Sequence, residues 1–374
     1  MARAPAIQER EIEVLPEADR LEGFPHPRET QALFGHEEAE REFAEALAHG
    51  KLHHGWLITG PEGIGKATLA YRFARYALAE PSERGDPSAG LKVPAASIAA
   101  RQVTAQSHPG LLVIRRVYDT KSKRFSATIP IDEVRRLRDF LSHRSGGGWR
   151  VVIVDTADEL NVNAANAILK SLEEPPQNTV FLLISSEPGR LLPTIRSRCR
   201  RLDLQPLPDH ALKAAVVQAL AAVEASEPST SEWPQLLDMG QGSVRRVLSL
   251  EGSKGVELYA AVETLLSRLP AVTWSEVHAL ADTLAPAAAE QRYNLFLDLL
   301  LDRLGQIIRA RATGEGREAD IKLAARLIGD AQLATWAALW ETITRERAEV
   351  SALNLDRKAL ILDAMLRIEQ AARR

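Results

Sequence analysis

The sequence is short of cysteine. Its 374 residues include only one, Cys199, so the chain has no partner for an internal disulfide and cannot build a cysteine-based zinc cluster on its own. A reducing, cytoplasmic setting is therefore expected. The chain also lacks any stretch of about 18 uncharged apolar residues, and its first residues are charged rather than apolar. Neither a membrane span nor a signal peptide is predicted.

A strong charge of either sign is missing as well. The formal net charge is -3 and the isoelectric point is near 6.3, which argues against a protein that grips nucleic acid over its whole surface and leaves room only for local basic patches. Hydrophobic residues make up 45% of the chain. At this length they supply a core for two or three folded domains.

A glycine-rich turn follows a short apolar strand predicted at residues 55–59. The turn GPEGIGKAT begins at Gly60 and leads into a helix. Gly60 and Gly65, with Gly63 between them, permit backbone angles that point amides inward, and Lys66 adds a mobile positive charge. This is the pattern of a phosphate-binding loop. A chance glycine turn is the alternative.

The loop departs from its pattern at the position that serves magnesium. The residue after the lysine, ordinarily Ser or Thr, is Ala67, and Thr68 follows one residue late. One helical residue is a rotation of roughly 100°, so Thr68 is expected to face elsewhere. The candidate ligands of this degenerate loop are ATP or ADP, or a bound phosphate or sulfate.

Two more apolar strands end in polar side chains. The run at residues 151–154 is followed by Asp155, and the run at 180–184 is followed by Ser185 and Ser186. The carboxyl ends of parallel strands share one edge of a sheet, where such folds bind their ligands. These side chains are therefore predicted to lie near the phosphate loop.

The order of patterns predicts the architecture. Strands alternate with helices as far as residue 204, which predicts a parallel sheet covered on both faces, and only helical patterns follow residue 209. Four segments are expected: a flexible arm at 1–25, a nucleotide-binding α/β domain at 26–206, a small helical domain at 207–252 and a larger all-helical domain at 253–374.

Two other features are better explained as ordinary structural features than as binding sites. His108 has neither a cysteine nor a clustered histidine beside it, so a turn residue is favoured over a metal ligand. A basic run lies near a predicted hairpin or loop, and a solvated face is favoured over phosphate contacts. The run comprises Arg115, Arg116, Lys121, Lys123 and Arg124.

The strings AANAILKSLEEPP at 164–176 and TIRSRCRRL at 194–202 resemble the clamp-loader group of AAA+ proteins. The likeness covers roughly residues 26–252 strongly and the remainder weakly. It implies an AAA+ P-loop domain followed by a helical lid and a helical collar. Family members commonly carry a four-cysteine zinc module, but residues 80–107 contain no cysteine, so no zinc is expected.

The resemblance also implies residue roles. Motor subunits end the central strand in an Asp-Glu pair, in which Asp organises magnesium and Glu positions the attacking water. Here Asp155 is retained and Thr156 replaces the glutamate, and threonine cannot take a proton from water at neutral pH. With Ala67, this predicts little or no intrinsic ATPase activity. Compensation by Thr68, Asp158 or Glu159 stays open.

By the same resemblance, Arg198 in Ser-Arg-Cys is an arginine finger, directed at the terminal phosphate of ATP on an adjacent subunit. A surface salt bridge is the alternative. Arg245 aligns with the sensor arginine of the lid. Ser185 or Ser186 occupies the first sensor position, with a strand-end cap as the alternative.

The implied protein is a stator. Its expected partners are clamp-loader motor subunits (gamma/tau) and a delta subunit, together with the sliding clamp and primer–template DNA through the complex, and no membrane. Lys170 is a candidate contact to DNA phosphates. The rival interpretation is an active AAA+ motor of a clamp loader or related DNA-remodelling complex, and a scaffold without catalysis is the third.

Overall fold

The computed structural model describes residues 15–142, 148–252, 255–329, 331–353 and 355–373. The chain forms two compact units, one ending at Val247 and the other beginning at Leu248. Within the described ranges, no helix is both long enough and apolar enough to span a membrane. Most of the glycine linker predicted at 146–148 lies outside these ranges.

The first unit is built on a five-stranded parallel sheet. The strands of the unit are β1 (Gly55–Thr59), β2 (Leu111–Ile114), β3 (Tyr118–Asp119), β4 (Arg124–Phe125), β5 (Arg150–Val154), β6 (Thr179–Ser185) and β7 (Arg200–Asp203). Across the sheet they lie in the order β2-β5-β6-β1-β7, and β3 and β4 form a separate antiparallel hairpin. The predicted fold class is confirmed.

Helices cover both faces of this sheet. These helices are α1 (Glu37–Ala48), α2 (Lys66–Leu78), α3 (Ile98–Thr104), α4 (Ile131–Ser142), α5 (Val162–Glu173) and α6 (Pro193–Arg196). Side chains alternate along each strand, so Trp56 and Ile153 pack under α1, α2 and α3, whereas Leu57, Val152 and Phe181 pack under α4, α5 and α6. Burial on both faces explains why the central strands are continuous apolar runs.

Three helices follow β7. They are α7 (Asp209–Ala221), α8 (Trp233–Gly240) and α9 (Val244–Gly252), and the boundary between the two units lies within α9.

One strand lies outside the sequence-based expectation. The charged segment Arg200–Asp203 forms the edge strand β7, which pairs only with β1. Its sequence does not alternate between apolar and polar residues, because an edge strand leaves most of its side chains in solvent. The sequence pattern therefore does not predict it. Arg200 lies over the ring of Trp56, 4.8 Å from its centroid.

The second unit is all-helical among its described residues. Helix α12 is its longest, with 24 residues, and packs against α10, α13 and α14, while α15 packs against α11 and α14. The helices are α10 (Gly255–Ser267), α11 (Trp274–Leu284), α12 (Glu290–Thr313), α13 (Glu318–Leu327), α14 (Leu333–Leu353) and α15 (Arg357–Ala372).

A buried arginine joins three of these helices. The side chain of Arg303 on α12 is 2% exposed, donates to the carboxylate of Asp320 on α13 at 2.7 Å, and is paired with Glu263 on α10. Burial raises the pKa of Asp320, but hydrogen bonds from Arg303 and Arg317 outweigh it and leave that pKa below its usual value. The arginine is thus needed to compensate buried carboxylates.

Arg303→Ala is expected to lower the free energy of unfolding by about 3 kcal/mol, because it leaves Asp320 buried with one cationic partner fewer. Arg268→Ala is the matched control, since Arg268 pairs with Glu276 in solvent at 2.6 Å, and should cost less than about 1 kcal/mol. Urea denaturation followed by circular dichroism measures both. Equal costs for the two variants would contradict the structural role of Arg303.

Candidate functional site

The glycine-rich loop joins β1 to α2, as predicted, and its three glycines have positive φ angles. These are +141° at Gly60, +76° at Gly63 and +107° at Gly65, in a region that glycine adopts without strain. A Cβ at Gly60 would lie 2.4 Å from the carbonyl oxygen of Leu204. The loop therefore needs glycine there for both its angle and its close packing.

The amine of Lys66 is fully hydrogen bonded within the chain. It donates to the carbonyl oxygens of Gly60 at 2.7 Å and Pro61 at 2.6 Å, and to the hydroxyl of Ser186 at 2.9 Å. An ammonium group has three hydrogens, so a phosphate has to compete with three existing acceptors. Burial lowers the pKa of Lys66 to about 8, because it disfavours the charged form.

The helix α9 begins directly on the loop. The amides of Val244 and Arg245 donate to the carbonyl oxygen of Gly63 at 2.9 and 3.4 Å, and Arg245 Nε lies 3.2 Å from the carboxylate of Glu62. A Cβ at Gly63 would lie 2.4 Å from Ser243 Oγ. The sensor-arginine candidate thus lies beside the loop, and a loop carbonyl satisfies the first amides of its helix.

The departures from the motor pattern leave two positions without catalytic groups. Ala67 is half-buried and packs against the core. Thr156 has a φ of +61° and makes no side-chain capping hydrogen bond to the short turn that follows it. Of the proposed substitutes, Glu159 is paired with Arg116 at 2.7 Å. That Thr68 faces away from the site stays a prediction, and compensation by Thr68 or Asp158 is the alternative.

A second carboxyl group meets Asp155 at the end of β5. Asp155 is buried, and the carboxyl group of Asp19 lies beside it. Asp19 is held in turn by Arg115 Nη1 at 2.8 Å and by His26 Nε2 at 2.8 Å. Two adjacent carboxyl groups cannot both ionise freely in a buried site, so the pair shares a proton. Lys66 and the buried hydroxyl of Tyr71 also face this pair.

The two carboxyl groups have opposite pKa shifts. Burial and the neighbouring Asp19 raise the pKa of Asp155 to about 8. Burial also raises the pKa of Asp19, but the hydrogen bond and charge of His26, with the charge of Arg115, outweigh it and lower that pKa. The proton is therefore held on Asp155, where the resemblance implied an ionised magnesium ligand.

The contact with Asp19 corrects the picture of a wholly flexible arm at 1–25. Residues 1–14 lie outside the described ranges, but Glu17 is paired with Arg28 at 2.7 Å and also with Arg115. The prediction of a solvated basic face is wrong for Arg115 and Arg116, which are both paired with carboxylates. Sequence reasoning missed Asp19 because its surroundings, PEADR, have no apolar period.

The remaining predicted residues are the two serines, which lie near the loop, and His108, which precedes β2 at the opposite edge of the sheet. Ser185 is fully buried at the end of β6, and Ser186 accepts a hydrogen bond from Lys66. His108 Nδ1 accepts from the amide of Gly110 at 3.0 Å, as expected of a turn residue. Across the described part of the chain, no three His, Cys, Asp or Glu side chains are grouped to hold a metal.

Arg198 lies at the other end of the sheet. A Cβ at Gly55, the first residue of β1, would lie 3.3 Å from the carbonyl oxygen of Arg198 and 3.3 Å from Cys199 Sγ. The phosphate loop follows the last residue of the same strand, and five β residues span about 16 Å. The structure thus separates Arg198 from Lys66, Asp155 and the serines.

A cavity of about 470 Å³ opens beside Arg198. Its polar lining comprises His53, His54, Glu173, Ser197, Arg198 and Arg200. The guanidinium of Arg198 donates to Glu173 at 2.7 Å and to the carbonyl oxygen of Thr194 at 3.1 Å. The salt bridge left open by the sequence is therefore present. Burial raises the pKa of the Cys199 thiol to about 12, so this cysteine stays neutral and serves packing.

Comparisons with known proteins place these features in a family. A family model described as DNA polymerase III, delta subunit matches residues 35–208. The chain is 32% identical to the DNA polymerase III subunit delta' of Pseudomonas aeruginosa over 84% of its length and 90% of that protein. It is 31% identical to the corresponding protein of Escherichia coli over 86% of its length and 90% of that protein.

Among solved structures, the fold is similar to a DNA polymerase III gamma subunit-related protein of Thermotoga maritima. The TM-score is 0.41 at 17% identity, with 89% of this chain and 99% of that chain covered.

The proton held by Asp155 predicts that the free energy of unfolding depends on pH. The folded protein holds this proton up to about pH 8, whereas an unfolded aspartate releases it near its ordinary pKa of 3.8. The contribution of Asp155 to the free energy of unfolding therefore falls as pH rises between those values. Between pH 6 and 8.5 the expected loss is about 2 kcal/mol.

Asp155→Asn removes the titrating group, so its urea midpoint should fall less steeply over this range than that of the original chain. Asp209→Asn, at an exposed aspartate on α7, is the control and should keep the original slope. If Asp155→Asn retains the full slope too, the proton is not on this pair.

Proposed function

The chain belongs to the family of DNA polymerase III delta-prime subunits and is a clamp-loader subunit, and we propose that it serves there as a stator. In this role it supplies Arg198 in trans to ATP held by an adjacent motor subunit. That contact acts while the complex loads a sliding clamp on primed DNA.

The separation of Arg198 from the chain's own phosphate loop carries the proposal. The arginine is packed at the first residue of β1 and the loop follows the last, so about 16 Å of buried strand lies between them. The Arg198 side chain is 36% exposed and lines a cavity. An arginine in this place is suited to a phosphate on another molecule and not to one on its own loop.

The chain's own site supports the same assignment. The loop lysine is saturated by Gly60, Pro61 and Ser186, and Asp155 holds a proton shared with Asp19. A protonated carboxyl group is a poor magnesium ligand, because the cation prefers charged oxygen donors. ATP or ADP is therefore expected to bind weakly in this loop and to be hydrolysed slowly or not at all.

An arginine delivered in trans has a clear physical effect. Its fixed, planar guanidinium stabilises the charge that develops on the transferring phosphoryl group. The proposed neighbours are the gamma/tau motor subunits and a delta subunit, in the cytoplasm, with the clamp and primer–template DNA met through the complex. Residues 26–206 would form the AAA+ domain, 207–252 its lid and 253–374 the collar.

Calorimetry of the isolated chain with ATP, with and without magnesium, tests whether its own phosphate loop binds nucleotide only weakly. Affinity should change less than tenfold with magnesium, and turnover should be negligible, because Ala67 and Thr156 supply no catalytic group. Robust hydrolysis that disappears in Lys66→Ala would instead establish the active-motor alternative.

Arg198→Ala tests the trans role in a reconstituted clamp loader. Turnover at the single adjoining motor site should fall by about 10³, so the burst of ATP hydrolysed on mixing with clamp and primed DNA should lose one ATP per complex. Arg198→Lys should lose the same burst, because lysine lacks the planar fork.

Arg190→Ala is the matched control for this experiment. Arg190 is an exposed arginine of the same domain and is paired with Glu187 at 3.2 Å. Its variant should keep the whole burst, and size-exclusion chromatography should show all variants assembled. An unchanged burst for Arg198→Ala in an intact complex would leave the chain a scaffold without a catalytic role.

A further inference from the structure

The backbone that carries Arg198 is held rigidly. The amide of Arg198 donates to the carbonyl oxygen of Ile195 at 3.1 Å, at the end of α6. Its own carbonyl oxygen packs against Gly55, where a Cβ would lie 3.3 Å away. The base of the side chain is therefore fixed to the sheet, and only its torsions are left to decide where the guanidinium points.

Three acceptors restrict those torsions. Glu173 accepts from Nη2 at 2.7 Å, and the carbonyl oxygen of Thr194 and the hydroxyl of Ser197 accept from Nη1 at 3.1 and 3.5 Å. A guanidinium has five N–H donors in a fixed plane. These contacts on the two terminal nitrogens set the orientation of that plane and leave the Nε hydrogen and one Nη2 hydrogen for a ligand.

Glu173 is itself placed by the sequence around it. Helix α5 ends at Glu173, since Pro175 and Pro176 follow and proline cannot continue the helical hydrogen-bond ladder. The side chain of Leu172 packs against Gly55, the first residue of β1, where a Cβ would lie 3.2 Å from Leu172 Cδ2. The end of α5 is thereby tied to the same edge of the sheet as Arg198, and the carboxylate does not depend on a mobile loop.

The cavity beside this pair has other charged and polar groups in its lining. Arg200 lines it together with His53 and His54, whose rings stack with centroids 4.3 Å apart, and Arg200 is itself paired with Glu42 at 2.6 Å. Among the described residues that line the cavity, Glu173 is the one acidic side chain. Its carboxylate weakens the attraction of Arg198 for phosphate, and what it provides instead is a fixed orientation of the guanidinium.

We propose that Glu173 is a positioning residue for Arg198, holding the guanidinium in the orientation in which it meets the terminal phosphate of ATP on the adjacent subunit. The inference rests on the proposed trans role of Arg198. A long arginine side chain loses much rotational freedom when it is fixed. Fixing it before the phosphate arrives removes that cost from the step that the arginine accelerates.

The test uses the reconstituted complex with clamp and primed DNA, and separates kcat from KM for ATP. Glu173→Ala should lower kcat at the adjoining site about threefold, in keeping with a partly exposed ion pair. KM should not change, because ATP is bound by the neighbour. Glu173→Gln keeps an oxygen acceptor for Nη2 and should retain most of kcat.

Glu187→Ala is the matched control, because it removes the carboxylate from the exposed Glu187–Arg190 pair of the same domain, and it should leave kcat unchanged. In the double variant Glu173→Ala/Arg198→Ala, kcat should be no lower than in Arg198→Ala, since a positioning residue acts only through the arginine.

Three outcomes would overturn the inference. They are an unchanged kcat for Glu173→Ala, a raised kcat, which would mean that the glutamate restrains the arginine, and a further loss in the double variant. If Arg198→Ala itself has no effect, the trans role fails instead. The two failures are therefore distinguishable.

Discussion

The length of one buried strand keeps the candidate functional side chains of the first unit in two separate groups. Strand β1 has the phosphate loop at its carboxyl end and the backbone of Arg198 at its amino end, and its residues are buried and paired on both sides. Neither end can approach the other without breaking the sheet. The chain therefore has two separate functional edges. One is filled by its own side chains, and the other opens into a cavity.

At the filled edge, groups of the kind that bind nucleotides in motor proteins instead hold segments of this chain together. Lys66 ties the loop to Ser186 after β6, Gly63 ties it to the first amides of α9, and Asp155 ties β5 to Asp19 in the segment before α1. Each of these contacts uses a donor or acceptor that a nucleotide or magnesium would otherwise need. These contacts keep the loop from depending on a bound ligand, which suits the proposed stator role.

How much the sequence predicts depends on the range of the interaction that forms each feature. The central strands at 55–59, 151–154 and 180–184 and the glycine loop follow from local apolar patterns and glycine positions, so they were predicted within a few residues of their observed bounds. Strand β7 was not, because its residues Arg200, Arg201 and Asp203 are charged and pair on one side only. The role of Asp19 was not predicted either, since a buried carboxyl pair between distant segments does not depend on the spacing of apolar residues in either segment. Buried charge is set by tertiary contacts, which a single sequence does not display.

The two strings that carried the family resemblance have a shared physical basis. One contributes Glu173 at the end of α5, and the other contributes Arg198 after α6, and the intervening β6 runs the length of the sheet between them. Because a helix that follows one parallel strand returns the chain to the edge where the next strand starts, the end of α5 comes back to the amino edge of the sheet. The short helix α6 then brings Arg198 to that edge ahead of β7. The prolines after α5 and the turn before β7 thus set the two walls of one cavity, and a motif that looks like two separate signals in the sequence is a single site in the fold.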